Sequence, residues 1–193
     1  MEIKSDQILD AKGLACPMPI VKTRKMMKDL SSGQVLEVQA TDKGSTADLK
    51  AWSDKVGHDY LGTIEIEGVL NHYLRKTTDA EQKEENKHPH VVNNEELKKV
   101  IDENDKATII DVREQAEYFF NHIPGAVSVP LNDLDKHIDN FNKTDELYIV
   151  CRSGNRSDLV AQKLTEKGFE NVKNVVPGMN DWKYETKGLF KEE

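Results

Sequence analysis

The sequence predicts an α/β protein made of two domains. Three observations carry this. Strand-like apolar runs alternate with helix-like stretches in both halves of the chain. A charged, polar stretch over residues 77–90 separates the halves. At 193 residues the chain is comfortable for two domains of about 90 to 100 residues, each able to bury its own core. The expected boundaries are a first domain over 1–76, a linker over 77–90 and a second domain over 91–193.

Composition narrows the function classes. Hydrophobic residues make up 37%, charged residues 32%, and the net charge is −8. This acidic balance argues against a nucleic-acid partner, which calls for a basic surface. No run approaches the roughly 18 apolar residues of a membrane helix, and the first residues lack the basic and apolar regions of a signal peptide, so no membrane association and a cytoplasmic location are expected. The two cysteines, Cys16 and Cys151, lie far apart in a chain that needs no covalent staple, so they read as separate reactive thiols rather than a disulfide.

In the first domain a strand is predicted over Gln7 to Leu9, then a turn through Asp10 to Gly13. Pro17 marks a helix start with Cys16 as its N-cap, and that helix runs to about Leu30. Four of its residues, Lys22, Arg24, Lys25 and Lys28, are basic, which fits either a docking face for acidic partners or a solvated surface. Met26 and Met27 read as packing. The alternation Val35 to Ala40 gives a second strand, Ser45 or Thr46 caps a second helix ending at Gly57, and Tyr60 to Ile66 and Leu70 to Lys76 are two further strands. The predicted order is β-α-β-α-β-β in two layers.

Leu9, Asp10, Gly13, Leu14, Cys16, Pro17, Pro19, Thr41, Asp42, Gly44, Ser45, Trp52, Gly57 and His58 together make residues 3 to 76 resemble the TusA-type sulfur-carrier family. In that family the Cys of a Cys-Pro-x-Pro motif carries sulfur as a persulfide and passes it to a partner protein. The resemblance implies that role for Cys16, whereas the residues alone mark only an activated thiol candidate.

Within the linker, His88 and His90 flank Pro89 without a Cys or acidic residue at ligand spacing, so no metal site is expected there. His58, His72, His122 and His137 are scattered and receive the same structural reading, and no cofactor is expected.

The second domain opens with Val91 and Val92, an Asn-capped helix over about Glu95 to Asp102, and a buried strand over Ala107 to Val112. A short helical piece follows Arg113, then a strand over Val127 to Val129 and a short helix after Pro130. The run Leu147 to Val150 is a strand that delivers the chain into Cys151, Arg152, Ser153, Gly154, Asn155 and Arg156, with a helix following Ser157 and ending near Lys167. A last strand, Val172 to Val176, precedes a closing helix opened by Pro177, Gly178 and Trp182. Alternation of strands and helices gives a mostly parallel sheet covered on both faces.

The loop carries the chemistry. The first turn of a helix presents unpaired N–H groups and partial positive charge, which favour a thiolate and cradle an anion. Gly154 and Asn155 tolerate the backbone that turns amides inward, and Arg152 and Arg156 add positive charge for an anionic substrate. In parallel sheets ligands bind at the carboxyl ends of strands, where Cys151 stands.

Asp111 to Glu114 with Tyr118, His122 to Ala126, Cys151 to Ser157, and Gly178 with Trp182 make residues 90 to 190 resemble the rhodanese family, with Pro177 departing from the usual pair of glycines. Asp111 and Arg113 read as a structural pair. The resemblance implies a sulfurtransferase. Cys151 takes sulfur from a small sulfane-sulfur donor (thiosulfate, polysulfide or a thiol persulfide), and Cys16 is the obvious next thiol before a final thiol or protein acceptor, within one chain or across a homo-oligomer. Two rivals stand beside this. One is a non-catalytic persulfide-binding or sensing module. The other is a Cys-dependent phosphatase, disfavoured because the four residues between Cys151 and Arg156 make a ring smaller than phosphatase loops.

Overall fold

The computed structural model describes residues 3–78, 81, 88–103 and 107–189, which fall into two compact units, Met1–Asp79 and Ala80–Glu193. The first unit follows the predicted order: β1 (Gln7–Asp10), α1 (Met18–Asp29), β2 (Val35–Ala40), α2 (Ser45–Val56), β3 (Asp59–Ile66) and β4 (Val69–Arg75). The strands form one sheet in the order β1-β2-β4-β3. Only the β1–β2 pair is parallel, because α1 carries the chain back over the sheet, while β3 and β4 are a tight antiparallel hairpin.

Both helices cover one face. Period-two alternation sends Leu36 and Val38 of β2 to that face, where they meet Leu9, Met27, Leu49 and Leu74, with Trp52 and Tyr60 packed at the margin. Met27 is buried and Met26 packs against the same core, so the packing reading of the two methionines holds. Lys22, Arg24, Lys25 and Lys28 all lie on the exposed side of α1.

Two local expectations change. Helix α1 begins at Met18, not Pro17, and its buried first-turn proline is Pro19. Cys16 therefore lies in the turn before the helix, where the Met18 amide bonds the Ala15 carbonyl at 3.0 Å, and is not the N-cap. Ser45 does not cap α2. Its hydroxyl donates to the Asp42 carbonyl at 2.5 Å and lies 2.9 Å from Nε2 of His72, which is fully buried.

That histidine is satisfied as a neutral ring. With the Ser45 proton given to Asp42, Nε2–H of His72 donates to Ser45, and Nδ1, at 2.8 Å from both the Tyr60 and Thr63 hydroxyls, accepts. Burial lowers its pKa to about 4, since a second proton would place a charge where water cannot reach it.

In the second unit the elements are β5 (Val91–Val92), α3 (Asn94–Glu103), β6 (Thr108–Asp111), α4 (Gln115–Phe120), β7 (Val127–Ser128), a 3₁₀ turn at Leu131–Asp133, α5 (Leu134–His137), a 3₁₀ turn at Ile138–Asn140, β8 (Glu146–Val150), α6 (Asn155–Glu166), β9 (Asn171–Val175) and a 3₁₀ turn at Gly178–Asp181. Five strands pair in the order β5-β9-β8-β6-β7, every pair parallel. Strand residues alternate between two cores. Ile110, Leu147 and Ile149 pack with Leu134, Val160 and Leu164 on one face, while Ile109, Tyr148 and Val150 pack with Leu97, Ile123 and Val175 on the other. A parallel sheet buried on both sides explains why these strands read as continuous apolar runs.

Two further expectations are corrected here. The closing helix is only the 3₁₀ turn Gly178–Asp181, after which Trp182 is extended. The residues beyond it lack helical periodicity, and the chain instead pairs Lys187 with His122. The solvated linker over 77–90 is not solvated throughout, because Glu81 and His88 are 8% and 3% exposed. His88 donates its amide to Asp158 Oδ1 at 2.7 Å and its Nε2 bonds the Val172 carbonyl at 2.9 Å. The ring is thus committed to the fold, and among the described residues no three His, Cys, Asp or Glu side chains group to hold a metal.

The neutral ring of His72 makes the first unit sensitive to acid. Its folded pKa lies below the unfolded value of 6.5, so its contribution is complete above ~6.5 and is lost as pH falls toward ~4, by roughly 3 kcal/mol. Urea unfolding of wild type and His72→Gln across this range checks it: the difference between the two stabilities shrinks as the pH falls, and a constant difference contradicts the assignment.

Candidate active site and carrier thiol

Strand β8 ends at Val150, and the chain turns through residues 151–154 into α6, placing Cys151 at the carboxyl end of a central strand. The thiol is fully buried. Its Sγ accepts the backbone N–H of Gly154 at 3.1 Å and the hydroxyl of Ser157 at 3.2 Å. Two donors converging on one sulfur are what a thiolate or a sulfur anion accepts.

The loop keeps this shape through close backbone packing. Gly154 has φ +99°, and a Cβ on it would come 2.9 Å from Val176 Cγ2. Beneath the loop, the amides of Met179 and Asn180 donate to the carbonyls of Cys151 and Arg152 at 2.9 and 2.8 Å. Gly178 has φ +71° and a Cβ there would lie 2.3 Å from the Cys151 carbonyl oxygen. Pro177, the departure from the expected glycine pair, leaves this contact intact because the close approach belongs to Gly178. Asn94 Nδ2 holds the Gly178 carbonyl at 2.9 Å, and Asn174 Nδ2 holds that of Gly154 at 3.1 Å.

One of the two loop arginines, Arg156, behaves differently from expectation. Arg152 reaches Asn180 Oδ1 through Nε at 3.2 Å and is part-exposed at the loop. Arg156 is 3% exposed and forms a two-pronged pair with Glu117 of α4, Nη1–Oε2 2.6 Å and Nη2–Oε1 2.9 Å. Its guanidinium is therefore committed to a protein carboxylate instead of facing an anionic substrate. A buried charge needs a partner, and Glu117 was invisible at a sequence distance of 39 residues. The same carboxylate also accepts the Glu114 amide at 3.0 Å in a capping box, which orients it. Asp111 and Arg113 do form the expected buried pair, at 2.6 Å.

Ser153 and Asn155 stand on the exposed side of the loop, and Asn155 Nδ2 donates to the Glu81 carbonyl at 2.7 Å. Sequence reasoning missed Ser157 as a donor to sulfur, although its place one helical turn beyond Gly154 was a usable signal. It also missed Glu117 and Glu81, for which no local signal exists.

Cys16 has the opposite setting. It is exposed, and its thiol pKa is raised. The first cause is a hydrogen bond with the Asp48 carboxylate, followed by desolvation and by the negative charges of Asp48 and Asp42. The expected activation by a helix N-terminus is thus corrected: Asp48 in the first turn of α2 and Asp42 just before it raise the pKa of this thiol.

Two substitutions test these settings. Gly178→Ala drives a methyl into the Cys151 carbonyl at a left-handed φ. It lowers stability by about 2–4 kcal/mol in denaturant titrations and abolishes sulfur loading on Cys151; a variant that loads normally contradicts the packing argument. Asp48→Asn removes the acceptor and the charge that hold the Cys16 proton, so alkylation of Cys16 near neutral pH accelerates severalfold, and an unchanged rate removes Asp48 from the account.

Each half of the chain is similar to known proteins. The "Rhodanese-like domain" family matches residues 93–185 and the "Sulfurtransferase TusA" family matches residues 7–76. The chain is 51% identical over 181 residues to "Putative sulfur carrier protein YrkF" of Bacillus subtilis (strain 168), covering 93% of this chain and 97% of that one. Its first unit is 46% identical over 72 residues to "Sulfur carrier protein TusA" of Allochromatium vinosum, covering 37% of this chain and 95% of that one. A crystal structure of a rhodanese-like domain protein from Staphylococcus aureus is 32% identical, with a TM-score of 0.49 over 52% of this chain and 98% of that one. The protein therefore belongs to the sulfur-carrier and sulfurtransferase family in which a TusA domain and a rhodanese-like domain share one chain.

Proposed function

We propose that the chain is a two-thiol sulfur relay in which Cys151 takes sulfane sulfur from a small donor and passes it to Cys16, which delivers it to an acceptor thiol or protein. The observation that carries this is the convergence of the Gly154 amide and the Ser157 hydroxyl on a buried Cys151 sulfur. With thiosulfate as donor, the Cys151 thiolate attacks the outer sulfur, the S–S bond of thiosulfate breaks and sulfite leaves with the bonding pair. The product is a Cys151 persulfide whose outer sulfur lies about 2 Å beyond Sγ. The N–H groups at the start of α6 stabilise the outer sulfur as an anion.

A Cys16 thiolate then attacks that outer sulfur, the S–S bond to Cys151 breaks, and Cys151 leaves as thiolate. No electrons are gained or lost overall, and the only extra event is removal of the Cys16 proton, for which Asp48 is the adjacent acceptor. The contrast in exposure supports the division of labour. A buried thiol suits a donor small enough to enter its loop, and an exposed thiol suits presentation to a protein. The engagement of Arg156 by Glu117 weighs against the phosphatase reading, which needs that guanidinium on a phosphoryl group.

Single-turnover trapping on the full chain tests the relay. After a thiosulfate pulse, sulfur is expected first on Cys151 and then on Cys16, with Cys16 labelling falling at least ~10-fold in Cys151→Ser. Equal labelling of Cys16 in that variant overturns the relay, and a stable Cys151 persulfide that never turns over to cyanide identifies a binding module instead.

A further inference from the structure

We propose that Glu81, which lies before the residues matched as rhodanese-like, is a positioning residue of the sulfur loop: it anchors Asn155 and Arg156 at the start of α6. This inference rests on the reading of Cys151 as the sulfur-accepting thiol. Glu81 is 8% exposed although it sits in a stretch whose composition calls for solvent. Its carbonyl accepts Asn155 Nδ2 at 2.7 Å, and its carboxylate Oε2 stands 3.9 Å from Arg156 Nε.

The arrangement divides the guanidinium between two acids. Nη1 and Nη2 are gripped by Glu117, and Nε faces Glu81, so Arg156 works as a strut between α4, α6 and a segment from outside the sheet. A second anchor lies nearby on the same helix turn. The His88 amide donates to Asp158 Oδ1 at 2.7 Å, and Asn174 Nδ2 lies 3.3 Å from that same oxygen. Residues 155, 156 and 158 are thus each tied, by side chain, to residues preceding β5.

The consequence bears on catalysis because the tied turn supplies the donors to sulfur. Gly154 immediately precedes Asn155, and Ser157 lies between Arg156 and Asp158. Rotating this turn by a fraction of an ångström re-aims both the Gly154 N–H and the Ser157 hydroxyl. Misaiming of preorganised donors reduces the rate of the chemical step more than it weakens ground-state binding. Glu81 touches neither the sulfur nor the donor and acts through Asn155 and Arg156.

The test uses the full-length chain with thiosulfate as donor and cyanide as acceptor. Intact mass of wild type first establishes whether one sulfur atom is gained on Cys151; its absence overturns the site reading and this inference with it. Given that gain, Glu81→Lys, which puts a cation against Arg156, lowers kcat roughly 10- to 100-fold with KM changed much less. Glu81→Gln, which keeps the shape and stays folded more readily, shows a smaller loss in the same direction. Asn155→Ala, which loses the bond to the Glu81 carbonyl, produces a similar fall in kcat, and the losses in the double variant Glu81→Lys/Asn155→Ala are less than additive, because both contacts hold the same turn at the start of α6. Wild-type kcat in Glu81→Gln and Asn155→Ala, or fully additive losses in the double variant, overturns the positioning role while leaving the Cys151 reading intact.

Discussion

The second unit depends on a buried ion pair. Arg156, on the first turn of the helix that follows the cysteine loop, and Glu117, on a helix that follows the neighbouring strand, are both almost without solvent and grip each other through two parallel hydrogen bonds. Neither charge is tolerable at that depth alone, since breaking such a pair leaves an uncompensated buried ion at a penalty of about 3–5 kcal/mol. The pair therefore forces the ends of β6 and β8 to present their loops together, with the Asp111–Arg113 pair beside it repeating the same logic at the end of β6. What is left around the Cys151 sulfur is the Gly154 amide and the Ser157 hydroxyl, with Arg152 part-exposed at the loop. In the proposed relay, the N–H groups at the helix start then stabilise the sulfur anion, because the Arg156 guanidinium is held by Glu117.

The two thiols occupy contrasting environments. Cys151 is enclosed, with an amide and a hydroxyl aimed at its sulfur, whereas Cys16 is at the surface beside carboxylates that retain its proton. A thiol whose pKa is raised is a weaker nucleophile near neutral pH. In the proposed relay this asymmetry gives a direction, because sulfur is gained where the anion is stabilised and is handed on from where a partner can reach it.

Much of the fold was legible in the chain. The period-two run Val35 to Ala40 placed β2, the other three strands of the first unit were placed between their turns, and alternation of strands with helices announced a parallel sheet covered on both faces. Errors gathered where backbone chemistry and long-range contacts decide. Ser45 had the composition of a helix cap but was taken by His72, a partner 27 positions away. The expected closing helix shrank to one 3₁₀ turn because the residues after Asp181 lack helical periodicity and the chain instead pairs Lys187 with His122. Glu81 and His88 looked like linker because composition reports solvation only when nothing packs on the segment.

The sequence by itself determined the two α/β units, the two separate thiols, and the placing of Cys151 between a buried strand and a helix, since these follow from periodicity and from residue types that act within a few positions of one another. Tertiary structure decided where each charged group sits: Arg156 is gripped by Glu117, the Asp48 carboxylate raises the pKa of Cys16, and Glu81 lies beside Asn155 and Arg156 at the start of α6. Electrostatic partners are chosen by distance in space and by burial, and neither is written in the spacing of residues along the chain.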